Sequence, residues 1–486
     1  MNRYVFLICA VLALCLIAGC SQDRGTAPDP AAATDHSSAV TVDPEAVAAE
    51  FVARAGWEFY PEATADSKQG GPAKTGGFVN WIEREVIVDD IVHYSAEIRF
   101  GPGPYDKFGL HRVVKERRSH KPIRTQKTLF ALHGSPGHFE VMFLAGAVIP
   151  SAPDDQAIAV YLAQNGVDVW GIDQAYTLLP VEVSDFSFMS DWGMQFEVDN
   201  LRTGMAIARL VRLFTGNSFG KLNLMGYSTG LMTGFAALNL ETQLPANQRH
   251  IGGFIPVDYF YKTLDPIGMQ GQCANAAATK ALLDAGVYND QNGLLFQTMG
   301  FLAQNDPDGD SPIAPGLTNM QFALSAATLT GYLFGFHPSD SHFFAGVFDE
   351  GGNPTDLRYT DLSHFLEWLQ QFNNYGPNLF GYDIAVLHCD EEDSPHDDFL
   401  HEIDVPVFFL GANGGWGDVM DHTASLLGSD DITILNVQLQ PVKLLDIGHV
   451  DIYTAGNAQQ EFWTPVLNWI NDHTAKGPKW NDYAEH

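Results

Sequence analysis

Short apolar runs alternate with stretches of helical spacing through the middle of the chain. The runs are at residues 128–132, 167–173, 222–227 and 251–257. Their length and composition are typical of strands that are buried on both faces. Two of the stretches between them, 157–164 and 196–214, place apolar residues at helical intervals. The pattern therefore predicts an α/β fold, in which a mostly parallel sheet carries helices on both faces.

Further elements are predicted on both sides of this alternation. Residues 78–100 and 109–114 are rich in β-branched and aromatic side chains, which predicts leading antiparallel strands. Residues 44–59 have helical spacing. Near the end of the chain, the pattern predicts a strand at 405–411, a last strand at 442–447 and a closing helix at 461–470.

The alternation is interrupted between the sixth and seventh predicted core strands. Residues 259–403 are aromatic, rich in loops and poor in strand patterns. An insertion of this size in a repeating core is typical of a cap domain. The predicted domains are a signal peptide (1–20), a flexible linker (21–45), the first part of the core (46–258), the cap (259–403) and the second part of the core (404–486).

The amino terminus predicts export. Arg3 precedes an apolar stretch, residues 4–16, that is too short to span a membrane, and small residues precede Cys20. This arrangement resembles a bacterial lipoprotein signal, in which Cys20 is lipidated and becomes the mature amino terminus. The alternative is an ordinary signal peptide that is cleaved nearby. Either alternative places the protein in the cell envelope, in the periplasm or on the outer surface.

Composition and charge limit the classes of partner. Apolar residues make up 45% of the 486-residue chain and aromatic residues 12%, as in globular proteins. The formal net charge of −33 argues against nucleic acid as a partner. It also disfavours adsorption to anionic lipid, so we expect membrane contact only through the lipid anchor. The sequence leaves the oligomeric state open.

Two cysteines remain once those of the predicted signal peptide are set aside. Cys273 and Cys389 would lie in an oxidising compartment, where an even number of cysteines favours a disulfide. The alternative is two separate buried thiols.

The chemistry is centred on Ser228, which stands in a Gly-x-Ser-x-Gly pattern at residues 226–230. An apolar strand precedes this serine and a helical pattern follows it, so the serine is predicted at the apex of a tight strand-to-helix turn. Such a turn exposes the hydroxyl to both a base and a substrate carbonyl. Ser228 is therefore the predicted nucleophile.

A serine hydroxyl needs a base, and the base needs a carboxylate that orients it. His449 follows the last predicted strand and is the candidate base. The preferred acid is Asp418, in the loop after the strand at 405–411, with Asp421 as the second choice. The third choice is Asp258, which directly follows the strand at 251–257.

Two backbone N–H groups are predicted to stabilise the oxyanion. Thr229 begins the helix after the nucleophile, and Ser135 lies in the turn His133-Gly134-Ser135-Pro136-Gly137 after the first parallel strand. The alternative for the second segment is a simple Gly/Pro loop.

These segments together resemble the α/β-hydrolase superfamily, over residues 120–260 and 403–475. Within it, residues 162–170, 185–188 and 448–451 resemble the acid-lipase group, whereas residues 173–176 depart from that group's arginine-glycine pair. The resemblance implies a serine esterase or lipase acting on a lipid or small-molecule ester through an acyl-enzyme. We expect no cofactor and no metal site.

Two alternatives remain for the function. The turn at 133–137 is also similar to that of prolyl aminopeptidases, which would make the protein a peptidase of the same fold. The other alternative is a non-catalytic binding protein on a hydrolase scaffold, because a fold does not by itself prove chemistry.

Overall fold

A computed structural model describes residues 79–474 of the chain. The predicted signal peptide, Cys20, the linker and the helix at 44–59 lie outside the described residues and stay predictions. Within the described part, no helix is both long and apolar enough to cross a membrane.

One large sheet forms the centre of the described chain. Its strands are β1 (Val79–Val88), β2 (Ile91–Arg99), β3 (Lys107–Arg118), β4 (Lys121–Pro122), β5 (Thr128–Leu132), β6 (Asp168–Asp173), β7 (Leu222–Tyr227), β8 (Ile251–Val257), β13 (Val407–Ala412) and β14 (Ile432–Val437). The order is β1-β2-β3-β6-β5-β7-β8-β13-β14, and β4 pairs with β3. Pairing is antiparallel from β1 to β6 and parallel from β6 to β14. Both the leading antiparallel strands and the mostly parallel sheet are confirmed.

The remaining elements are helices and two short strand pairs of the described residues. The helices are α1 (Phe139–Phe143), α2 (Ala145–Val148), α3 (Ile158–Gln164), α4 (Met194–Phe214), α5 (Thr229–Thr242), α6 (Pro266–Asp284), α7 (Asn292–Asn305), α8 (Asn319–Thr328), α9 (Thr330–Phe334), α10 (Leu362–Gln370), α11 (Asn378–Cys389), α12 (Asp421–Ser425), α13 (Asp451–Thr454) and α14 (Thr464–Asp472). The short strands are β9 (Asn289–Asp290) with β12 (Gly376–Pro377), and β10 (Gly346–Phe348) with β11 (Pro354–Leu357).

The sheet separates two hydrophobic layers. Successive side chains of a strand point to opposite faces. In β5, Leu129 and Ala131 accordingly join the layer that contains α3 and α14, whereas Phe130 and Leu132 join the layer that contains α4 and α5. Helices therefore cover both faces of the sheet, as the sequence predicts.

The end of the chain differs in part from the prediction. The last strand is β14, ten residues upstream of the predicted strand at 442–447. The predicted segment bends because the Asp446 carboxylate accepts hydrogen bonds from the N–H groups of Leu439, Gln440 and Ile447, and Lys443–Leu445 forms a short 3-10 turn. The predicted closing helix is confirmed by Gln459–Trp463, a π-helical turn that runs into α14.

The predicted cap segment, residues 259–403, is called the insertion below. It lies in the chain between β8 and β13, two strands that are neighbours in the sheet, and it contains α6 to α11. Cys273 of α6 is joined to Cys389 of α11 by a disulfide, as favoured by the sequence. The sheet can stay continuous across the insertion because the insertion leaves and rejoins it at adjacent strands.

Candidate active site

Ser228 lies between β7 and α5, in the predicted strand–turn–helix. Its backbone has φ 54° and ψ −128°, a conformation that costs a non-glycine residue on the order of 1–3 kcal/mol. The Ser228 N–H donates to the carbonyl of Val257, the last residue of β8, at 3.1 Å. This hydrogen bond to the neighbouring strand helps to hold Ser228 in its strained backbone conformation.

The surrounding glycines allow the backbone to pack closely around this turn. A Cβ on Gly226 would lie 2.7 Å from the carbonyl oxygen of Gly230, and one on Gly230 would lie 2.5 Å from that of His133. A Cβ on Gly134 would lie 2.7 Å from the Cβ of Ser228. Larger residues would therefore force apart the serine turn and the turn after β5, which supplies the predicted oxyanion donor.

His449 is paired with Asp258. The Nδ1 atom of His449 lies 2.6 Å from Oδ2 of Asp258, and both side chains are buried. Asp258 follows β8, next in the sheet to β7 and Ser228. A carboxylate that accepts Nδ1–H fixes the tautomer of the ring and leaves Nε2 as the basic atom.

The loop after β13 directs backbone N–H groups at the Asp258 carboxylate. Oδ1 of Asp258 accepts a hydrogen bond from the Ala412 N–H at 2.7 Å, and the Trp416 N–H lies 3.3 Å from both oxygens. A Cβ on Gly415 would lie only 2.0 Å from Oδ2 of Asp258. The loop can therefore come this close to the carboxylate only because residue 415 is a glycine.

This geometry corrects the first two sequence-based choices for the acid. The carboxylate of Asp418 contacts Nζ of Lys443, with both oxygens at 2.8 Å, on the surface. Asp421 begins α12 and is exposed. Asp258, the third choice, is the carboxylate beside His449. The position of Asp258 directly after a core strand was the feature of the sequence that pointed to it. The sequence could not show that the loop after β13 directs backbone N–H groups at its carboxylate.

Aromatic rings surround the imidazole of His449. Tyr227, the residue before Ser228, stacks on it with ring centroids 4.6 Å apart, and its hydroxyl donates to the His449 carbonyl at 3.2 Å. Trp416 meets the imidazole edge-on at 5.0 Å, and Phe343 of the insertion lies at 5.9 Å. The stacking on Tyr227 places His449 next to the serine turn.

The turn after β5 is fixed by a neutral, buried histidine. Burial lowers the pKa of His133 to about 4. Its Nδ1–H can therefore donate to the Gly134 carbonyl, 3.1 Å away, while Nε2 accepts the Gln174 N–H at 3.2 Å. This histidine was not assigned a role from the sequence; here it holds the turn that carries Ser135.

The two residues predicted to supply the oxyanion donors, Ser135 and Thr229, are joined by a hydrogen bond. The Ser135 N–H donates to Oγ1 of Thr229 at 2.8 Å. Thr229 is the first residue of α5, a position whose N–H has no carbonyl partner within the helix. Ser135 and Thr229 are thus adjacent, with the threonine hydroxyl bound to one of the two N–H groups.

The insertion contacts both sides of this site. The backbone N–H of His449 donates to the backbone carbonyl of His342 at 3.1 Å. On the other side, the Asn373 N–H donates to the Pro136 carbonyl at 3.2 Å, and Nε2 of His138 lies 3.0 Å from the Gln371 carbonyl. The insertion therefore borders both the His449 loop and the turn that follows β5.

Comparisons with known proteins agree with this architecture. No family model matches the chain. Over 137 residues, the chain is 24% identical to a probable lipase of Schizosaccharomyces pombe, and the match covers 28% of each protein. The chain thus spans little more than a quarter of that relative. A solved structure from Sulfolobus solfataricus, provisionally described as a lipase, has a TM-score of 0.53 and 19% identity, covering 79% of this chain and 95% of the other.

The strand order and this structural similarity identify the fold. The protein has the α/β-hydrolase fold, with a mostly parallel central sheet and helices on both faces. In this fold, ligands bind outside the carboxyl ends of the strands, which is where Ser228, Asp258 and His449 are found.

Proposed function

We propose that this protein is an exported serine hydrolase that cleaves carboxylic esters. The observation that carries the proposal is the hydrogen bond between buried His449 and Asp258, next to a serine in a strained turn. A nucleophile, a base and a group that orients the base are the parts that acyl transfer needs.

The proposed reaction passes through an acyl-enzyme. Oγ of Ser228 attacks the ester carbonyl while Nε2 of His449 accepts the proton of the Ser228 hydroxyl. Asp258 keeps the Nδ1 proton and stabilises the imidazolium that forms. His449 then protonates the leaving alcohol, and a water molecule, activated by the same imidazole, releases the acid. This sequence of steps requires no cofactor.

Charge that develops on the carbonyl oxygen is proposed to be stabilised at Thr229 and Ser135. The Thr229 N–H points out of the first turn of α5, where the helix dipole favours a negative charge. The Thr229 hydroxyl accepts the Ser135 N–H and can donate its own proton to the oxyanion. In this arrangement the Ser135 N–H does not contact the oxyanion but orients the Thr229 hydroxyl. The hydroxyl is then the group that donates a hydrogen bond to the oxyanion.

Removing this hydroxyl should therefore slow the chemical step. We expect Thr229→Val, which keeps the shape of the side chain, to lower kcat about 10²-fold with little change in KM, as for the loss of one oxyanion donor. Thr229→Ser should keep most of the activity because it keeps the hydroxyl. Steady-state kinetics on a nitrophenyl ester would measure both variants. A higher kcat in Thr229→Val would instead mean that the hydroxyl competes with substrate for the Ser135 N–H.

The substrate is proposed to have an apolar acyl or aryl group. The rings of Trp416 and Phe343 contact His449, and Phe336 of the insertion contacts Trp416 with centroids 5.9 Å apart. Apolar walls with few polar groups are typical of sites that bind apolar ligands. The lipase names of the similar proteins favour the same substrate class.

The proposal is tested with nitrophenyl esters from acetate to palmitate, with Ser228→Ala as the blank. We expect hydrolysis above the blank, and the preferred chain length would separate an esterase from a lipase. Hydrolysis of peptides with a free amino terminus, without ester hydrolysis, would favour the peptidase alternative. No reaction with either class would favour the binding protein.

The same assay addresses the proposed export and anchor. With the full chain expressed in a bacterium, activity should sediment with the membranes. Cys20→Ser should move it to the soluble exported fraction, because a single residue then decides whether the chain carries lipid. An unchanged distribution would contradict lipidation at Cys20.

A further inference from the structure

Four titratable side chains meet outside the proposed catalytic residues. They come from β2, β3, the start of α1 and the end of β6, and they are His93, His111, Glu140 and Asp173. Nε2 of His93 lies 2.9 Å from Nδ1 of His111, and Nδ1 of His93 lies 3.8 Å from Oε1 of Glu140. One ligand atom from each of these three residues lies within 4.8 Å of the other two. We call these four residues the histidine cluster.

The histidine cluster is shielded from solvent except at Glu140. His93 and His111 are 3% and 5% exposed, and their rings are nearly parallel. The ring of Phe139 stacks on His111 at 4.5 Å. The Glu140 side chain keeps 33% of its surface exposed, which gives a small ion a route from solvent.

The charges around the histidine cluster favour a bound cation. Oδ2 of Asp173 lies 3.0 Å from Nε2 of His111, and Oε1 of Glu140 lies 3.8 Å from Nδ1 of His93. Two carboxylates therefore stabilise positive charge at the imidazole pair.

A carboxylate lies beside the outer ring nitrogen of His111, as at many metal-bound histidines. A ligating imidazole usually gives its other ring N–H to a carboxylate, which orients the ring. Nε2 of His111 lies 3.0 Å from Oδ2 of Asp173, which leaves Nδ1 facing His93. Two imidazoles and a carboxylate form a ligand set that suits zinc and similar divalent metals.

We propose that His93, His111 and Glu140 bind one divalent metal ion of the zinc type, with Asp173 as the positioning residue for His111. Binding would release a proton from the imidazole ligands to solvent, because a metal binds deprotonated ring nitrogens. The site is separate from the proposed ester hydrolysis and does not depend on it.

The location of the site indicates what the metal would stabilise. The other oxygen of Asp173 accepts the Phe139 N–H at 2.7 Å, at the start of α1. The next residue, Gln174, donates its N–H to His133 in the turn that carries Ser135. A metal at the histidine cluster would thus link β2 and β3 to the segment that follows this turn.

Metal binding is tested on protein without a histidine tag, after chelator treatment and dialysis. Zinc is titrated against a chromophoric chelator, and cobalt is added separately to record its ligand-field absorption bands. We expect one zinc ion per chain, a higher unfolding temperature with zinc, and cobalt bands typical of nitrogen and oxygen ligands.

Variants separate the site from general attraction of cations to an acidic protein. Glu140→Gln should weaken zinc binding at least about 10-fold, by analogy with the loss of supporting groups at metal sites. Glu391→Gln is the control, because Glu391 is exposed and lies beside Cys273 and Cys389, whose sulfurs are joined in a disulfide. Equal zinc affinity in all three proteins, or less than about one tenth of an ion per wild-type chain, would overturn the proposal.

Discussion

Asp258→Asn should lower kcat for ester hydrolysis by about 10⁴-fold, the size expected when a triad carboxylate is replaced by an amide. The Asp258 carboxylate accepts hydrogen bonds from His449 on one side and from the Ala412 N–H on the other. An asparagine has only one acceptor oxygen, so its NH₂ group must face either the imidazole or a backbone N–H. The base then adopts the wrong tautomer or loses its fixed orientation.

The matched control for this prediction is Asp418→Asn. Asp418 forms an ion pair with Lys443 at the surface, and such pairs contribute about 0–1 kcal/mol to stability. We expect kcat to change less than about twofold in this variant. Thermal unfolding of both variants would show whether they fold. Loss of activity in Asp418→Asn with activity kept in Asp258→Asn would restore the sequence-based choice.

Replacement of Ser228 is the second prediction. Ser228→Ala should lose about 10⁶-fold in kcat, as for removal of a triad nucleophile, and should no longer react with a fluorophosphonate. The wild type should gain one label, located by mass spectrometry on the peptide that contains Ser228. Ser425→Ala, which changes an exposed serine on α12, should label as the wild type does. Labelling that persists in Ser228→Ala would show that another residue is the nucleophile.

Stability gives an independent readout of the same turn. At φ 54° and ψ −128°, alanine suffers the same backbone strain as serine, whereas glycine does not. We therefore expect Ser228→Gly to exceed Ser228→Ala in free energy of unfolding by about 1 kcal/mol, measured by denaturant titration. Equal stability would mean that the strain is absent in solution.

Local sequence patterns were sufficient to predict secondary structure where the residues of one continuous segment determine its conformation. The run before Ser228, the small residues around it and the helical pattern after it are contiguous, and the chain forms β7, the turn and α5 as predicted. The same holds for the leading antiparallel strands and for the closing helix. In each case, strand and helix periodicity reflects burial of one face or both, which is legible from neighbouring residues.

Contacts between distant segments could not be predicted in this way. The acid beside His449 depends on which of several loops at the sheet edge approaches the imidazole, and the sequence offered three aspartates there. The predicted strand at 442–447 is wrong for a different, local reason. Its alternation resembles a strand, but the Asp446 carboxylate captures backbone N–H groups and bends it into a loop.

The sequence by itself determined the α/β architecture and the position of Ser228 at a strand-to-helix turn, and it favoured the pairing of Cys273 with Cys389. Only the tertiary structure decided that Asp258 is the carboxylate that contacts His449, that the Thr229 hydroxyl binds the Ser135 N–H, and that His93, His111 and Glu140 meet. The physical reason is the range of the interactions. Periodicity and turn preferences act within a few residues, whereas hydrogen bonds between loops depend on how strands far apart in the chain are ordered in the sheet.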